Sequence, residues 1–318
     1  MRIPGGWRAQ FLALSATWGS SFLFIKVLDR HWPPLWVALG RISLGALTLV
    51  ALAIARGERL ALRRAAWPHL LIASLFLNAI PFTLFAYGEQ HVSSIVAGLW
   101  NASAPLWVLV VVMLAFPEEH PTRARTAGLA FGFVGVAVLL GPWRGLGGGQ
   151  AIGHLACAGA AVCYGVGFPY ARRYVSTRPE SAVALAAGQL ICATVVLAVF
   201  TPLVPAPSLH LGAGGVASIL VLGALGTGVA YVLNYAILRA AGATTAATVT
   251  YVVPVFSTLL GAIVLGEGLH WNQPAGAAVL LAGIAISQGY AGLSQPANDG
   301  LAQPPPDPVG AAPSGSPP

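Results

Sequence analysis

Ten runs of apolar residues, each about twenty residues long, are the feature that most restricts what this chain can fold into. A helix rises about 1.5 Å per residue, so a run of this length crosses a hydrocarbon layer about 30 Å thick. Segments this long satisfy their backbone hydrogen bonds in lipid as helices, whereas barrel strands would be about ten residues long. The sequence therefore predicts an all-α integral membrane protein with ten transmembrane helices. The runs lie at 9–28, 34–55, 67–87, 92–116, 124–142, 151–171, 181–203, 213–237, 244–266 and 272–291.

Charged residues are too scarce in this sequence to cover a water-soluble protein, since 57% of its 318 residues are hydrophobic and 8% are charged. The net charge of +7 is explained by where the arginines lie relative to the membrane, so it requires no nucleic-acid partner. With the N-terminus in the cytoplasm, twelve basic residues lie in or beside cytoplasmic segments, and three, Lys26, Arg30 and Arg144, lie near the opposite face. This bias predicts that both termini are cytoplasmic.

One motif occurs twice in the chain. Pro105 precedes Glu118 by thirteen residues, and Pro254 precedes Glu267 by the same number. Such a duplication in a membrane protein is typical of transporters built from two repeats around a shared site. Further matches between the two copies are Ala127-Gly128 with Ala275-Gly276 and Gly135 with Gly283.

The duplication divides the predicted helices into two repeats of five, at residues 1–146 and 147–293. Because five is odd, the second repeat begins on the opposite side of the membrane from the first, so we expect inverted repeats. Residues 294–318 have too little apolar content to fold, which predicts a disordered cytoplasmic tail.

The tract at residues 240–268, AAGATTAATVTYVVPVFSTLLGAIVLGEG, resembles the repeat signature of EamA-type transporters of the drug/metabolite transporter superfamily. Trp18-Gly19-Ser20-Ser21-Phe22 and Arg41-Ile42 extend the resemblance, while Pro117 departs from it by replacing the glycine expected before Glu118. The resemblance implies ten helices in two inverted five-helix repeats, a central cavity, and outward movement of small organic solutes. We interpret the chain as a multi-pass protein of the bacterial inner membrane.

Alignment of the two repeats pairs three sets of candidate cavity residues. Equivalent positions meet near the axis that relates inverted repeats, so these side chains are expected to line one substrate-binding cavity. For each residue, helix packing or an interhelical hydrogen bond is the alternative. The pairs are Trp18 with Tyr164, Arg41 with Gln189, and Asn101 with Thr250.

Arg41 is the most deeply placed charge, about 10 Å into the second predicted helix. An arginine there costs roughly 2.5 kcal/mol or more unless it is paired or hydrated, so we expect it to face the cavity. The alternatives are that it snorkels to the outer interface or binds carbonyl groups of a broken helix.

Two prolines and two glutamates stand at corresponding positions of the repeats. Pro105 and Pro254 each remove a helix hydrogen bond and are predicted to kink their helices near mid-membrane, either beside the cavity or simply as packing kinks. Glu118 and Glu267 are expected to cap the fifth and tenth helices, which follow them, with substrate binding as the alternative.

No catalytic apparatus is visible, because the seven histidines are scattered and no paired acids or metal-ligand spacing accompanies them. The sequence thus predicts no enzyme and no cofactor or metal, with a small-molecule substrate and the lipid bilayer as partners. The leading interpretation is a secondary transporter that exports amino acids or related metabolites by alternating access. A cationic multidrug exporter is the nearer alternative, and an integral membrane enzyme or lipid-handling accessory the more distant one.

The acidic residues bear on how transport is driven. All nine lie in loops, tails or helix ends, and Glu89, at the end of the third helix, comes nearest to a buried carboxylate. Proton-driven exporters of cations hold such a group deep in a helix. The sequence therefore predicts facilitated efflux or exchange of a neutral, zwitterionic or anionic solute without an obligatory buried proton site.

Overall fold

A computed structural model describes residues 6–58, 60–115, 122–141, 143, 148–208 and 210–287. The expectations for Glu118, for Arg144 and for the tail at 294–318 fall outside these residues. The described chain is helical, with short connections between its helices.

Within the described residues, eight helices are long and apolar enough to cross a membrane, and two shorter apolar helices bring the total to ten. The prediction of an all-α membrane protein with ten helices is confirmed. The third helix begins a few residues earlier than its predicted run. The helices are α1 (Trp7–Leu28), α2 (Pro34–Ala55), α3 (Arg64–Glu89), α4 (Ser94–Leu114), α5 (Arg123–Leu140), α6 (Gly148–Tyr174), α7 (Ala182–Leu203), α8 (Gly212–Asn234), α9 (Val249–Val264) and α10 (Asn272–Ser287).

Local chemistry sets several helix ends. The hydroxyl groups of Ser93, Thr122 and Ser181 accept hydrogen bonds from backbone N–H groups three residues ahead, at 3.1 to 3.2 Å, and so begin α4, α5 and α7. Pro34 stands at the first position of α2, where its missing N–H costs nothing. Gly141 ends α5 in the left-handed conformation, with φ of 56°.

The backbone is helical throughout Ala230–Val264, a segment that includes the connection between α8 and α9. Contacts with α1 show that the chain nevertheless reverses direction between these two helices. A Cβ built on Gly226 would lie 3.2 Å from Ser21 Oγ, and one built on Gly19 would lie 2.8 Å from the Val253 carbonyl oxygen. Gly19 and Ser21 are close neighbours on α1, whereas a straight helix would separate residues 226 and 253 by about 40 Å. The two helices therefore form a hairpin against α1.

The packing of α5 against α10 shows that the repeats are inverted. A Cβ on Gly128 would lie 2.5 Å from the Gly283 carbonyl oxygen, and one on Gly135 would lie 2.8 Å from that of Gly276. Gly128 corresponds to Gly276 and Gly135 to Gly283, so the start of each helix lies beside the end of the other. Such an antiparallel arrangement of equivalent helices, with glycines letting the backbones touch, is a self-complementary contact about a twofold axis.

A second symmetric contact involves the glycines that follow Trp18 and Tyr164. Gly19 packs on the backbone of α9 near Val253, and a Cβ on Gly165 would lie 2.7 Å from Trp107 Cβ in α4. These glycines thus allow α1 to approach α9 and α6 to approach α4 closely. These contacts agree with the alternative that Trp18 and Tyr164 belong to helix-packing surfaces.

Candidate functional site

Arg41 lies in the interior of the bundle, with 6% of its surface exposed. Its Nε donates a hydrogen bond to Thr227 Oγ1 of α8 at 3.3 Å. Its guanidinium carbon is 3.9 Å from the centroid of the Phe82 ring of α3, a favourable position for a cation over an aromatic face. Snorkelling to the outer interface is therefore wrong for Arg41, and its charge is held where the two repeats meet.

A chain of neutral hydrogen bonds connects α7, α3 and α8. Gln189 Nε2 of α7 donates to Asn78 Oδ1 of α3 at 2.6 Å, and Asn78 Nδ2 donates to the Tyr231 hydroxyl of α8 at 2.9 Å. Asn78 is fully buried and Gln189 is 6% exposed, so these bonds form away from solvent, where they are strong. We call Arg41, Asn78, Gln189, Thr227 and Tyr231 the polar cluster.

Two π-helical segments position the polar cluster. Leu75–Ala79 of α3 contains Asn78, and Val221–Val229 of α8 contains Thr227. Thr227 Oγ1 donates to the Leu222 carbonyl oxygen five residues earlier at 3.1 Å, which leaves its lone pairs to accept from Arg41. Single π-helical turns inside α-helices occur often at functional sites.

The polar cluster follows the symmetry of the repeats. Asn78 and Thr227 are 149 residues apart, as are Pro105 and Pro254, so they occupy equivalent positions. Arg41 corresponds to Gln189, and the bonds Arg41 to Thr227 and Gln189 to Asn78 are therefore the same contact made once in each direction.

Tyr164 of α6 lies beside the polar cluster in a group of aromatic rings. Its ring centroid is 6.1 Å from that of Phe85 and 5.6 Å from that of Phe168, and Phe85 in turn meets Phe22 edge to face at 5.7 Å. The hydroxyl of Tyr164 interacts electrostatically with Arg41. Of the six residues predicted to line the cavity, the structure thus brings Arg41, Tyr164 and Gln189 into one neighbourhood.

The other three predicted cavity residues adjoin a single hydrophobic core cluster. Trp18 of α1 packs against this cluster, as Tyr164 does. Asn101 and Thr250 are half-buried, and each is next to or between members of the same cluster on α4 and α9. A common cavity for all six residues stays a prediction.

The prolines lie in differing surroundings. Before Pro105, α4 is interrupted at Ser103, which separates helical segments Ser94–Ala102 and Ala104–Ala115. Pro254 instead lies inside a continuous helical segment, and Ser257 Oγ donates to its carbonyl oxygen at 3.2 Å. Each proline lacks the N–H that would bond to the carbonyl four residues earlier, which belongs to Asn101 or Thr250.

Glu267 caps a helix, as expected, but the prediction that it caps α10 is wrong. Its carboxylate accepts hydrogen bonds from the Ser94 backbone N–H at 2.9 Å, the Ser94 hydroxyl at 2.8 Å and the Ile95 N–H at 3.2 Å. These donors begin α4, in the other repeat. Gly266, left-handed with φ of 66°, redirects the chain after α9 so that the carboxylate reaches across.

Three further charged residues lie near the ends of α1 and α3. Lys26 Nζ donates to the carbonyl oxygens of Glu89 and of Val92, the latter at 2.8 Å. Glu89 is completely buried, and among the described residues neither of its carboxylate oxygens has a hydrogen-bond partner. The same holds for both carboxylate oxygens of Asp29. Glu89 is therefore a buried carboxylate. Its position at the end of the third helix had indicated only that it came nearest to such a group among the nine acidic residues.

Four members of the polar cluster are buried in this structure, each at most 6% exposed: Arg41, Asn78, Gln189 and Thr227. Two surface depressions, lined by residues 210–220 and by residues of 61–63 and 179–180, contain none of its members. In the part of the chain that the structure describes, no three His, Cys, Asp or Glu residues are grouped to hold a metal ion.

Sequence reasoning missed Thr227, Tyr231 and Phe82. Thr227 could have been found by adding the repeat spacing of the prolines to Asn78. Tyr231 follows one helical turn later on the same face. Phe82 lies one helical turn after Asn78 and corresponds to Tyr231 by the same spacing of 149 residues, so the repeat could have identified it too.

Comparisons with known proteins agree with this architecture. The model of the EamA-like transporter family matches the chain twice, at residues 7–141 and 151–288. An uncharacterized transporter of Archaeoglobus fulgidus is 28% identical over 279 residues, which cover 86% of this chain and 96% of the relative. The uncharacterized transporter YoaV of Bacillus subtilis is 24% identical over 275 residues, which cover 86% of this chain and 93% of the relative.

A partial match and a solved structure extend the comparison. The uncharacterized inner membrane transporter YedA of Escherichia coli K12 is 28% identical over 127 residues, covering 40% of this chain and 41% of the relative. One solved crystal structure superposes with a TM-score of 0.63 at 22% identity and covers 89% of this chain and 96% of that chain. The latter shows a shared fold.

Proposed function

This chain belongs to the EamA-like transporter family, and on that premise we propose that it exports small zwitterionic or anionic metabolites, such as amino acids or related solutes, by alternating access. Membership makes it a multi-pass membrane transporter and not an enzyme. We propose in particular what the substrate is, in which direction it is transported and which residues bind the substrate.

The buried guanidinium of Arg41 is the observation that carries the proposal. Among the described residues, its one hydrogen bond goes from Nε to Thr227, so its two Nη groups are available to a ligand. A guanidinium offers paired, directional donors that match a carboxylate or phosphate. A cationic drug is a poorer fit, because the deepest charge of the site would repel it.

The neutral side chains of the polar cluster supply the rest of the proposed site. Gln189, Asn78 and Tyr231 offer amide and hydroxyl groups that can hydrogen-bond to the uncharged or ammonium part of a small solute. Trp18 and Tyr164 would provide aromatic walls, and Asn101 and Thr250 would add polar side chains near Pro105 and Pro254.

Alternating access follows from the way the two repeats share the polar cluster. Arg41 and Asn78 come from the first repeat, whereas Gln189, Thr227 and Tyr231 come from the second. A rocking of one repeat, residues 1–146, against the other, residues 147–293, would open the closed cluster to one side of the membrane and then to the other. We place the protein in the bacterial inner membrane with cytoplasmic termini, which the arginine bias and the similarity to YedA support.

The test uses purified protein reconstituted in liposomes. A thermal-shift screen against a metabolite library selects a carboxylate ligand, and counterflow is then measured for this ligand and for its amide. We expect Arg41→Gln to weaken the carboxylate by about tenfold or more and the amide much less, because a charge-assisted hydrogen bond is worth about 1.5–3 kcal/mol. Arg30→Gln, at an exposed arginine, is the control and should change neither. Equal loss for both compounds would remove Arg41 from the site.

A further inference from the structure

The buried charges near the ends of α1, α3 and α4 do not balance. Glu89 interacts electrostatically with the carboxyl groups of Asp29 and Glu267 and with the cations Lys26 and Arg41. Three acids thus face two bases. Glu267 accepts three hydrogen bonds and is stabilised as a carboxylate, but Glu89 and Asp29 have no hydrogen-bond donors among the described residues.

An ionised carboxylate that is buried without donors is strongly destabilised, and such a group binds a proton instead. Lys26 does not relieve Glu89 by hydrogen bonding, because its ammonium group donates to the backbone carbonyls of Glu89 and Val92. One added proton makes the five groups neutral overall. We propose that Glu89 is a proton-binding site, occupied in the conformation seen here.

The neighbouring groups agree with this assignment. At Asp29, just beyond α1, burial raises the pKa of the carboxyl to about 8, although Lys26 lowers it. Glu89 is the more deeply buried of the two, which makes it the preferred holder of the shared proton. Further titratable side chains on the elements packed against Glu89 have contacts of their own: Cys157 packs at Gly88, His154 accepts from Trp100 Nε1, and His91 meets the ring of Tyr87.

A metal cation fits this place less well than a proton does. The carbonyl oxygens of Glu89 and Val92 would be natural ligands for a small cation, but Lys26 already occupies them. The ammonium group therefore stands where such an ion would bind.

The position of Glu89 indicates what the proton would control, and this step rests on the proposed function. Lys26 ties α1 to the turn between α3 and α4, while Glu267 ties the chain after α9 to the start of α4. Loss of the proton from Glu89 would leave a bare carboxylate that competes with the carbonyls for Lys26. Proton release would thereby loosen this end of the bundle and couple its opening to the proton gradient, which replaces the expectation of transport without a buried proton site.

Infrared difference spectroscopy on the purified full-length protein tests the proton site without any substrate. We expect a protonated-carboxyl carbonyl band at neutral pH that shifts in D₂O, is lost at alkaline pH and loses intensity in Glu89→Gln, with any remainder removed by the further change Asp29→Asn. Glu180→Gln, at a carboxyl group that accepts from Arg63 N–H in the loops, is the matched control and should retain the band. Glu89→Asp should move the band in frequency and not abolish it.

Each contrary outcome overturns the proposal. Wild-type protein without such a band at neutral pH has an ionised Glu89, and a band whose intensity is unchanged in Glu89→Gln belongs to another carboxyl group. A band that disappears when sodium replaces potassium at constant pH makes the site a sodium site. Because none of these readouts involves transport, failure of the proton site is distinguishable from failure of the proposed substrate.

Discussion

Arg41 donates from Nε to Thr227 Oγ1 over 3.3 Å, and this one bond joins α2 of the first repeat to α8 of the second. Its counterpart, Gln189 to Asn78 at 2.6 Å, joins α7 of the second repeat to α3 of the first. The same position in each repeat therefore reaches across to the other. The arginine at one of the two positions and the glutamine at the other make the cluster electrostatically asymmetric, which would suit the anionic end of the proposed substrate.

Thr227→Val should destabilise the protein and weaken ligand binding. The change keeps the shape of the side chain but removes the acceptor of a buried guanidinium, which costs about 1–3 kcal/mol. Thr194→Val is the matched control, because Thr194 Oγ1 bonds only to the Leu190 carbonyl of its own helix among the described residues. Thermal unfolding of both variants measures the difference. Equal melting temperatures would show that the Arg41 bond contributes nothing to the fold.

Gly135→Ala should loosen the contact between α5 and α10. The added methyl group would lie 2.7 Å from Leu280 Cα, and since that atom is backbone, the helices must separate. Overpacking of this kind typically costs about 1–3 kcal/mol. Gly159→Ala in α6 is the control, because its nearest neighbour would be Leu84 Cδ1 at 3.4 Å. A Gly135→Ala protein as stable as Gly159→Ala would contradict the close approach.

The helices and the repeat symmetry could be predicted from the sequence because hydrophobic length and spacing are local properties. Ten apolar runs predicted ten helices, and Gly128, Gly135, Gly276 and Gly283 carried the duplication that the structure turns into a packed contact. The depth of Arg41 also followed from its place in the run.

What the sequence did not predict depends on how separate helices meet. Glu267 was expected to cap the helix that follows it, but its turn directs it to Ser94, 173 residues away. Glu89 was predicted to lie at a helix end, and a helix end is expected near the membrane surface. The neighbouring helices instead bury Glu89 completely. The π-helical turns that aim Asn78 and Thr227 inward leave no hydrophobic pattern.

Cysteines at Gly57 and Gly148 should report opposite sides of the membrane. A Cβ at either position would meet no atom within 4 Å, so the new thiols would be accessible; Gly57 is left-handed with φ of 63°, so Gly57→Cys also strains the turn after α2. In intact cells we expect an impermeant maleimide to label Gly148→Cys and to label Gly57→Cys only after permeabilisation, since the arginine bias places residues 56–64 inside. The parent protein, with its three free cysteines, is the background control. The reverse labelling pattern would invert the topology.

Glu267→Gln should lower stability through α4, not through α10. The carboxylate accepts from Ser94 N, Ser94 Oγ and Ile95 N at the start of α4, where the positive end of the helix dipole lies. We expect a loss of about 1–2 kcal/mol in the free energy of unfolding, as for other lost helix caps. Glu180→Gln is the control and should have little effect.

In a double-mutant cycle, Ser94→Ala should be less damaging when Glu267→Gln is already present, because both changes remove the same contact. Hydrogen exchange should then increase at the first turn of α4, and an increase confined to α10 would return Glu267 to the helix that follows it.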